Sequence, residues 1–270
     1  MRAPDVDIFA PEFPAQAPWI GGKRLWLAQL RGHPFLLEFW DFCRPSSLRT
    51  LPYLTAWQDR YGEAGLRTVG VHASGFPPSA DVEAVAAAVA RLGIAYPVLV
   101  DVDFTLWQEY GNLGWPARYL FDAHGRLFDY HYGEGGYGET EAAIRELLGF
   151  DHGPDGRHTG VPDHDGAPEP VGYLRAEDDP AALLVIPTPD AEGATSGPYE
   201  AGSVWAVIAG TGTLEVNGET RRIDHPGAHQ LISHSRSTAA TLEICPGPGV
   251  EVLATCFLPG LAPDGSTPTV

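Results

Sequence analysis

Lysine is almost missing from this chain. Lys23 is the only one, and Met1 is the only methionine. Cysteine is scarce as well: Cys43, Cys245 and Cys256 are the three in 270 residues. Three cysteines do not make a disulfide framework, and the odd count leaves at least one thiol outside any bridge. No apolar run reaches the roughly eighteen residues of a membrane-spanning helix. The opening Met1-Arg2-Ala3-Pro4-Asp5-Val6-Asp7 lacks the apolar stretch of a secretory signal peptide. The expectation is a soluble protein of the cytoplasm.

Positive charge is also in short supply. Seventeen Lys and Arg face 35 Asp and Glu, giving a net charge of −18. Residues 1–150 carry −6 of this and residues 151–270 carry −12. Such a surface repels nucleic acid and anionic membrane, so neither is an expected partner. Net charge speaks to solubility rather than to a ligand.

Against these absences stands an apolar fraction of 44% with clear periodicity. Pro34 to Trp40 is a short apolar run that reads as a buried strand. Ser47 to Tyr61 places Leu48, Leu51, Leu54 and Trp57 at helical spacing, with Pro52 predicting a kink. Leu66 to Ala73 and Tyr96 to Val100 read as strands. Asp81 to Leu92 reads as a helix stopped by Gly93, and Phe104 to Tyr110 as a short one. Pro116 to Phe121 and Leu127 to Tyr132 are strands joined by a turn at Asp122-Ala123-His124-Gly125. Glu139 to Leu148 is the closing helix. The order β-α-β-α-β-α-β-β-α is that of an α/β domain over residues 1–150.

Residues 151–169, rich in His, Asp, Gly and Pro, lose all periodicity and read as a linker. Residues 170–262 then turn all-β, and 263–270 form a tail. Strands are expected at Ala182–Ile186, Ser203–Ala209, Gly212–Val216, Thr220–Ile223, His229–Ile232, Thr241–Cys245 and Val250–Phe257. Asn217-Gly218 is the sharpest hairpin signal, because a type I′ turn needs positive φ at both positions. Seven short strands with turns between them predict a jelly-roll-like β-sandwich.

Three segments carry a resemblance. They are Phe39-Trp40 followed by Leu48 to Trp57, Trp115 to Asp122, and Tyr132 to Glu141. Together they are similar to the soluble thioredoxin-like region of DipZ-type proteins, relatives of the TlpA thioredoxins and so redoxins of the bacterial envelope. The resemblance is strong over residues 8–150 and weaker over 170–260, where a carbohydrate-binding-module-like sandwich follows in that family. It implies a thioredoxin fold in the first half. It also implies a cis peptide bond at Trp115-Pro116, in a loop that binds extended peptide.

The family pattern runs Phe-Trp-x-x-x-Cys-x-x-Cys-x-Arg-Thr-Leu-Pro-Tyr. Laid on this chain without a gap, its two cysteines fall on Arg44 and Ser47. Dithiol exchange needs one thiolate to attack and a second to resolve the mixed disulfide. Arg44 can do neither and Ser47 cannot resolve, so the family's redox activity does not carry over with the resemblance. Cys43 remains, one position early, in Cys43-Arg44-Pro45-Ser46. Beside Arg44 and a helix start, its thiolate would be favoured. The lack of Pro-x-x-x-Thr-x-x-Cys before the helix argues against a peroxiredoxin.

Two functions follow as expectations. One is a non-catalytic module that binds a peptide or a thiol-containing protein near Arg44, Pro45, Ser46, Ser47, Trp115 and Pro116. The other is a thiol oxidoreductase or redox sensor working through Cys43 as its single catalytic thiol. No cofactor is called for. His225, His229 and His234 lack the His-x-His pair that a metal-binding cupin adds, so no metal is expected. Tyr173, Tyr199 and Trp205 are the only rings that could stack on a sugar. Cys245 and Cys256 flank Pro246-Gly247-Pro248-Gly249. As a simple hairpin, this puts Cys245 opposite Val250, too far from Cys256 to bridge, with both cysteines as packing residues.

Overall fold

The computed structural model describes residues 1–3, 7–151 and 167–265. Its contacts divide the chain into two units. The first comprises Met1–Asp41, Ser46–Ser74 and Ala80–Leu174; the second comprises Phe42–Pro45, Gly75–Ser79 and Arg175–Val270. The expected linker falls mostly on residues 152–166, outside the described residues, as does the end of the expected tail.

The first unit runs β1 (Trp19–Ile20), α1 (Leu27–Leu30), β2 (Phe35–Trp40), α2 (Pro45–Tyr61), β3 (Arg67–His72), α3 (Val82–Arg91), β4 (Val98–Val100), α4 (Thr105–Glu109), β5 (Ala117–Phe121), β6 (Leu127–Tyr132) and α5 (Tyr137–Leu147). The sheet order is β1-β4-β3-β2-β5-β6. Strands β2, β3 and β4 are parallel, and α2 and α3 supply the crossovers that parallel neighbours require. Strands β5 and β6 form an antiparallel hairpin beside β2. A β-α-β half joined to a β-β-α half is the thioredoxin fold. Strand β1 and helix α1 were not expected, since two and four residues are too few to show a period. Helix α2 begins at Pro45, two residues earlier than its apolar spacing predicts, because proline suits the first helical position. It continues past Pro52 to Tyr61; Pro52 is exposed, where a carbonyl released by the missing N–H can meet water.

The two faces of this sheet differ. Phe35, Leu37 and Phe39 of β2 join Val69, Val71, Leu99, Tyr119 and Phe121 in one apolar cluster with Phe13, Leu30 and Leu106. Strand alternation sends Glu38, Trp40, Thr68, Gly70 and Arg118 to the other face. There Glu38 lies directly between Gly70 of β3 and Arg118 of β5.

The second unit is almost all strand: β7 (Leu184–Val185), β8 (Ala191–Glu192), β9 (Gly197–Gly210), β10 (Gly212–Val216), β11 (Glu219–Ile223), β12 (Gly227–Leu242), β13 (Ile244–Pro246), β14 (Val250–Leu258) and β15 (Gly260–Leu261). A four-stranded sheet β12-β9-β14-β8 and a three-stranded sheet β11-β10-β13 enclose a core that includes Val204, Ile208, Leu214, Val216, Leu231 and Phe257. A third, two-stranded sheet pairs β15 with β7. This is a β-sandwich. Asn217 and Gly218 both take positive φ, 51° and 80°, in the turn between β10 and β11. Strands β9 and β12 are longer than expected. Register shifts between Gln230 and Ile232, and between Ser233 and Thr238, break the alternation along β12 and make one long strand read as two short ones. Among the described residues, no helix is long and apolar enough to cross a membrane.

Candidate functional site: the turn before helix α2

Strand β2 ends at Trp40, and the chain turns through Asp41 to Arg44 into α2. Cys43 has no solvent exposure and is in no disulfide. Arg44 is half-buried, its guanidinium 4.7 Å from the ring centre of Phe76. Pro45 is buried. The carbonyl of Phe42 accepts the amide of Ala228 at 3.1 Å. Gly227 has φ +130°, and a Cβ there would come within 3.0 Å of the Phe42 ring, so a side chain at this position would press on the turn. Phe42, Arg44, Phe76, Gly227 and Ala228 all group with the second unit.

The remaining candidates belong to the first unit. Ser47 is fully buried, and its hydroxyl accepts the Asp41 amide at 3.3 Å. The Ser46 carbonyl accepts the Thr50 hydroxyl at 3.0 Å. The Trp115-Pro116 peptide bond is cis. The Trp115 indole donates to the Ala73 carbonyl at 2.8 Å, and its ring lies 4.3 Å from that of Trp107. Thus Cys43, Arg44 and Pro45 are fixed in one unit, and Ser46, Ser47, Trp115 and Pro116 in the other.

Three polar residues beneath this region escaped the reading of the sequence. Asp41 and His72, both fully buried, approach to 3.6 Å. Glu38 is buried in the middle of β2, with Arg118 at 4.0 Å and no hydrogen-bond donor to either carboxylate oxygen. Burial pushes its carboxyl up to about 8, against the opposing pull of Arg118. Charged Glu inside Pro34-Phe35-Leu36-Leu37-Glu38-Phe39-Trp40 was the available signal, since a carboxylate almost never sits in a buried strand without a reason.

The other candidates are rearranged. Val250 pairs with Gly210 rather than with Cys245, and Cys245 sits on β13 opposite Glu215. Cys245 is exposed and does not pack, contrary to expectation. Cys256 is buried on β14; burial and then the negative charge of Asp190 push its thiol up to about 12, while Arg44 pulls the other way. His225 and His229 stack at 4.3 Å, whereas His234 bonds Tyr199 at 2.9 Å. Among the described residues, no three His, Cys, Asp or Glu side chains group as a metal site. Tyr199 lies in the sandwich core, and Tyr173 groups with the first unit.

Residues 6–129 match the AhpC/TSA family. Protein DipZ of Mycobacterium tuberculosis is 30% identical over 295 residues, covering 92% of this chain and 42% of DipZ. The chain therefore spans less than half the length of that relative. Thiol-disulfide oxidoreductase ResA of Halalkalibacterium halodurans is 27% identical over 127 residues, covering 47% of this chain and 67% of ResA. The crystal structure of a thiol-disulfide isomerase from Corynebacterium glutamicum superposes with a TM-score of 0.46 at 21% identity, covering 52% of this chain and 96% of that one.

Proposed function

We propose that this chain, a member of the thioredoxin-like DipZ and ResA type of thiol-disulfide oxidoreductase family, is a binding module that has given up dithiol chemistry. The observation that carries this reading is the state of the turn. Its one thiol, on Cys43, is entirely buried, and the position of the family's second cysteine holds Ser47. A thiolate must reach a disulfide sulfur to attack it, and a second thiol must release the mixed disulfide. Buried Cys43 does not meet the first requirement and Ser47 does not meet the second. The loop at Trp115 and Pro116 remains, and an extended peptide or a thiol-containing protein is the ligand class that fits it.

The test is disulfide reduction of insulin by the full chain in the presence of dithiothreitol. The expected result is no rate above the uncatalysed background. Catalysed turnover that disappears in Cys43→Ser would overturn the reading in favour of a one-thiol oxidoreductase. Alkylation supplies a second measurement. Cys245 should label quickly, and Cys43 and Cys256 only slowly, because reactivity follows exposure and thiolate character.

A further inference from the structure

Residues 168–174, which begin within the expected linker, group with the first unit. They form no helix or strand. What holds them is a set of side chains on α2 and α5 that address main-chain atoms. Glu141 of α5 accepts the amide of Val171 at 2.5 Å and that of Gly172 at 3.1 Å, one on each carboxylate oxygen. The hydroxyl of Tyr53 on α2 accepts the amide of Leu174 at 2.7 Å. From the donor side, Arg145 reaches the carbonyl of Pro168, and Arg60 that of Glu169.

The clamp is itself braced. Glu141 is buried and also accepts the Tyr61 hydroxyl at 2.6 Å. Arg145 is gripped by both oxygens of Asp151, at 2.5 and 3.1 Å. Burial and the bond to Glu141 push the Tyr61 phenol up to about 12, so it remains a donor. Gly138 on α5 leaves room for the segment's one large ring, since a Cβ there would stand 2.6 Å from the Tyr173 hydroxyl.

The held segment buries little of itself: Glu169, Pro170, Tyr173 and Leu174 are exposed. A segment fixed by polar main-chain contacts and little apolar burial opens locally, without unfolding the unit beneath it. We infer that residues 168–174 are a releasable strap, bound in a peptide main-chain groove between α2 and α5 in which Glu141 is the principal holding residue. Because the groove reads amides and carbonyls, it places few demands on the side chains of the strap.

Amide hydrogen exchange of the full chain tests this. In the wild type, the amides of Val171, Gly172 and Leu174 should be protected, but less than those of β2. Glu141→Gln should speed exchange at Val171 and Gly172 by at least roughly ten-fold, with β2 unchanged. Tyr53→Phe, a milder variant, should speed exchange at Leu174 and leave β2 unchanged. Exchange of the strap at the same rate as β2 in the wild type would show that it opens only with global unfolding. Indifference of Val171 and Gly172 to Glu141→Gln would show that the carboxylate does not hold them. Either result overturns the proposal.

Discussion

One sheet in the first unit has two unlike covered faces. On one, Phe35, Leu37 and Phe39 meet Val69, Val71 and Tyr119 in a cluster with stacked and edge-on aromatic pairs, such as Phe35 on Phe121 at 4.8 Å. On the other, under α2 and α5, the same strand presents Glu38 and Trp40. That face keeps Glu38, the Trp40 and Trp57 indoles, the Thr68 hydroxyl, the Tyr96 hydroxyl and part of the Arg118 guanidinium buried without a hydrogen-bond partner. Arg118 is instead held by the Gly135 carbonyl and by the Tyr137 ring face at 4.9 Å. The first face leaves only the Trp19 indole and the Tyr110 hydroxyl buried without a partner among its described residues. The second carries the larger free-energy penalty, because each unpaired buried polar group forfeits its bonds to water. These unpaired groups lie on the sheet face beneath α2, whose first turn carries the candidate site.

The largest effect should come from damaging the first face. Phe39→Ala removes a ring in edge contact with Trp107, Tyr110 and Tyr119, and should cost about 3–5 kcal/mol in urea denaturation. Next comes the penalty on the polar face. Glu38 titrates near 4.5 unfolded and at about 8 when folded, so the folded state holds its proton longer. The contribution of Glu38 to stability should therefore be greatest below about pH 4.5 and fall as pH rises from there through 8. The loss by about pH 7 is on the order of 3 kcal/mol, and Glu38→Gln should flatten that part of the pH profile.

Two smaller changes sharpen the comparison. A Cβ on Gly70 would meet the Trp40 indole nitrogen at 3.1 Å, Val98 at 3.2 Å and the Tyr96 ring at 3.3 Å. Gly70→Ala should therefore cost about 1–3 kcal/mol by overpacking. Thr68→Val keeps the shape and deletes a buried hydroxyl without a partner. Denaturation should show it neutral or more stable by up to about 1 kcal/mol. A clear loss on Thr68→Val would mean that the hydroxyl is satisfied and that the two faces differ less than described.

Much of this was legible in the chain. The run from Phe35 to Trp40, the spacing of Leu51, Leu54 and Trp57, and the Asn217-Gly218 turn each carry a local signal strong enough to survive folding. Strand β12 was not legible as one element, because its bulges lie where the partner strand needs them and alternation cannot announce them. The hairpin drawn from Cys245 to Val250 failed for a related reason: a Pro-Gly turn can separate two sheets as readily as it joins two strands of one. At the candidate site, residue types showed one cysteine, Cys43, just before α2. They did not point to Asp41 beside His72, whose pairing joins the turn after β2 to the end of β3.

Local chemistry is what the sequence determined by itself: which segments alternate, where glycine and proline stop them, and that one cysteine, Cys43, stands just before α2. These follow from backbone sterics and side-chain type within a few residues. The tertiary structure alone decided that Cys43 is buried, that Glu38 is pushed toward neutrality opposite Arg118, and that Glu141 holds the amides of Val171 and Gly172. Burial, dielectric surroundings and the pairing of distant groups are properties of the packed chain, and a one-dimensional pattern does not contain them.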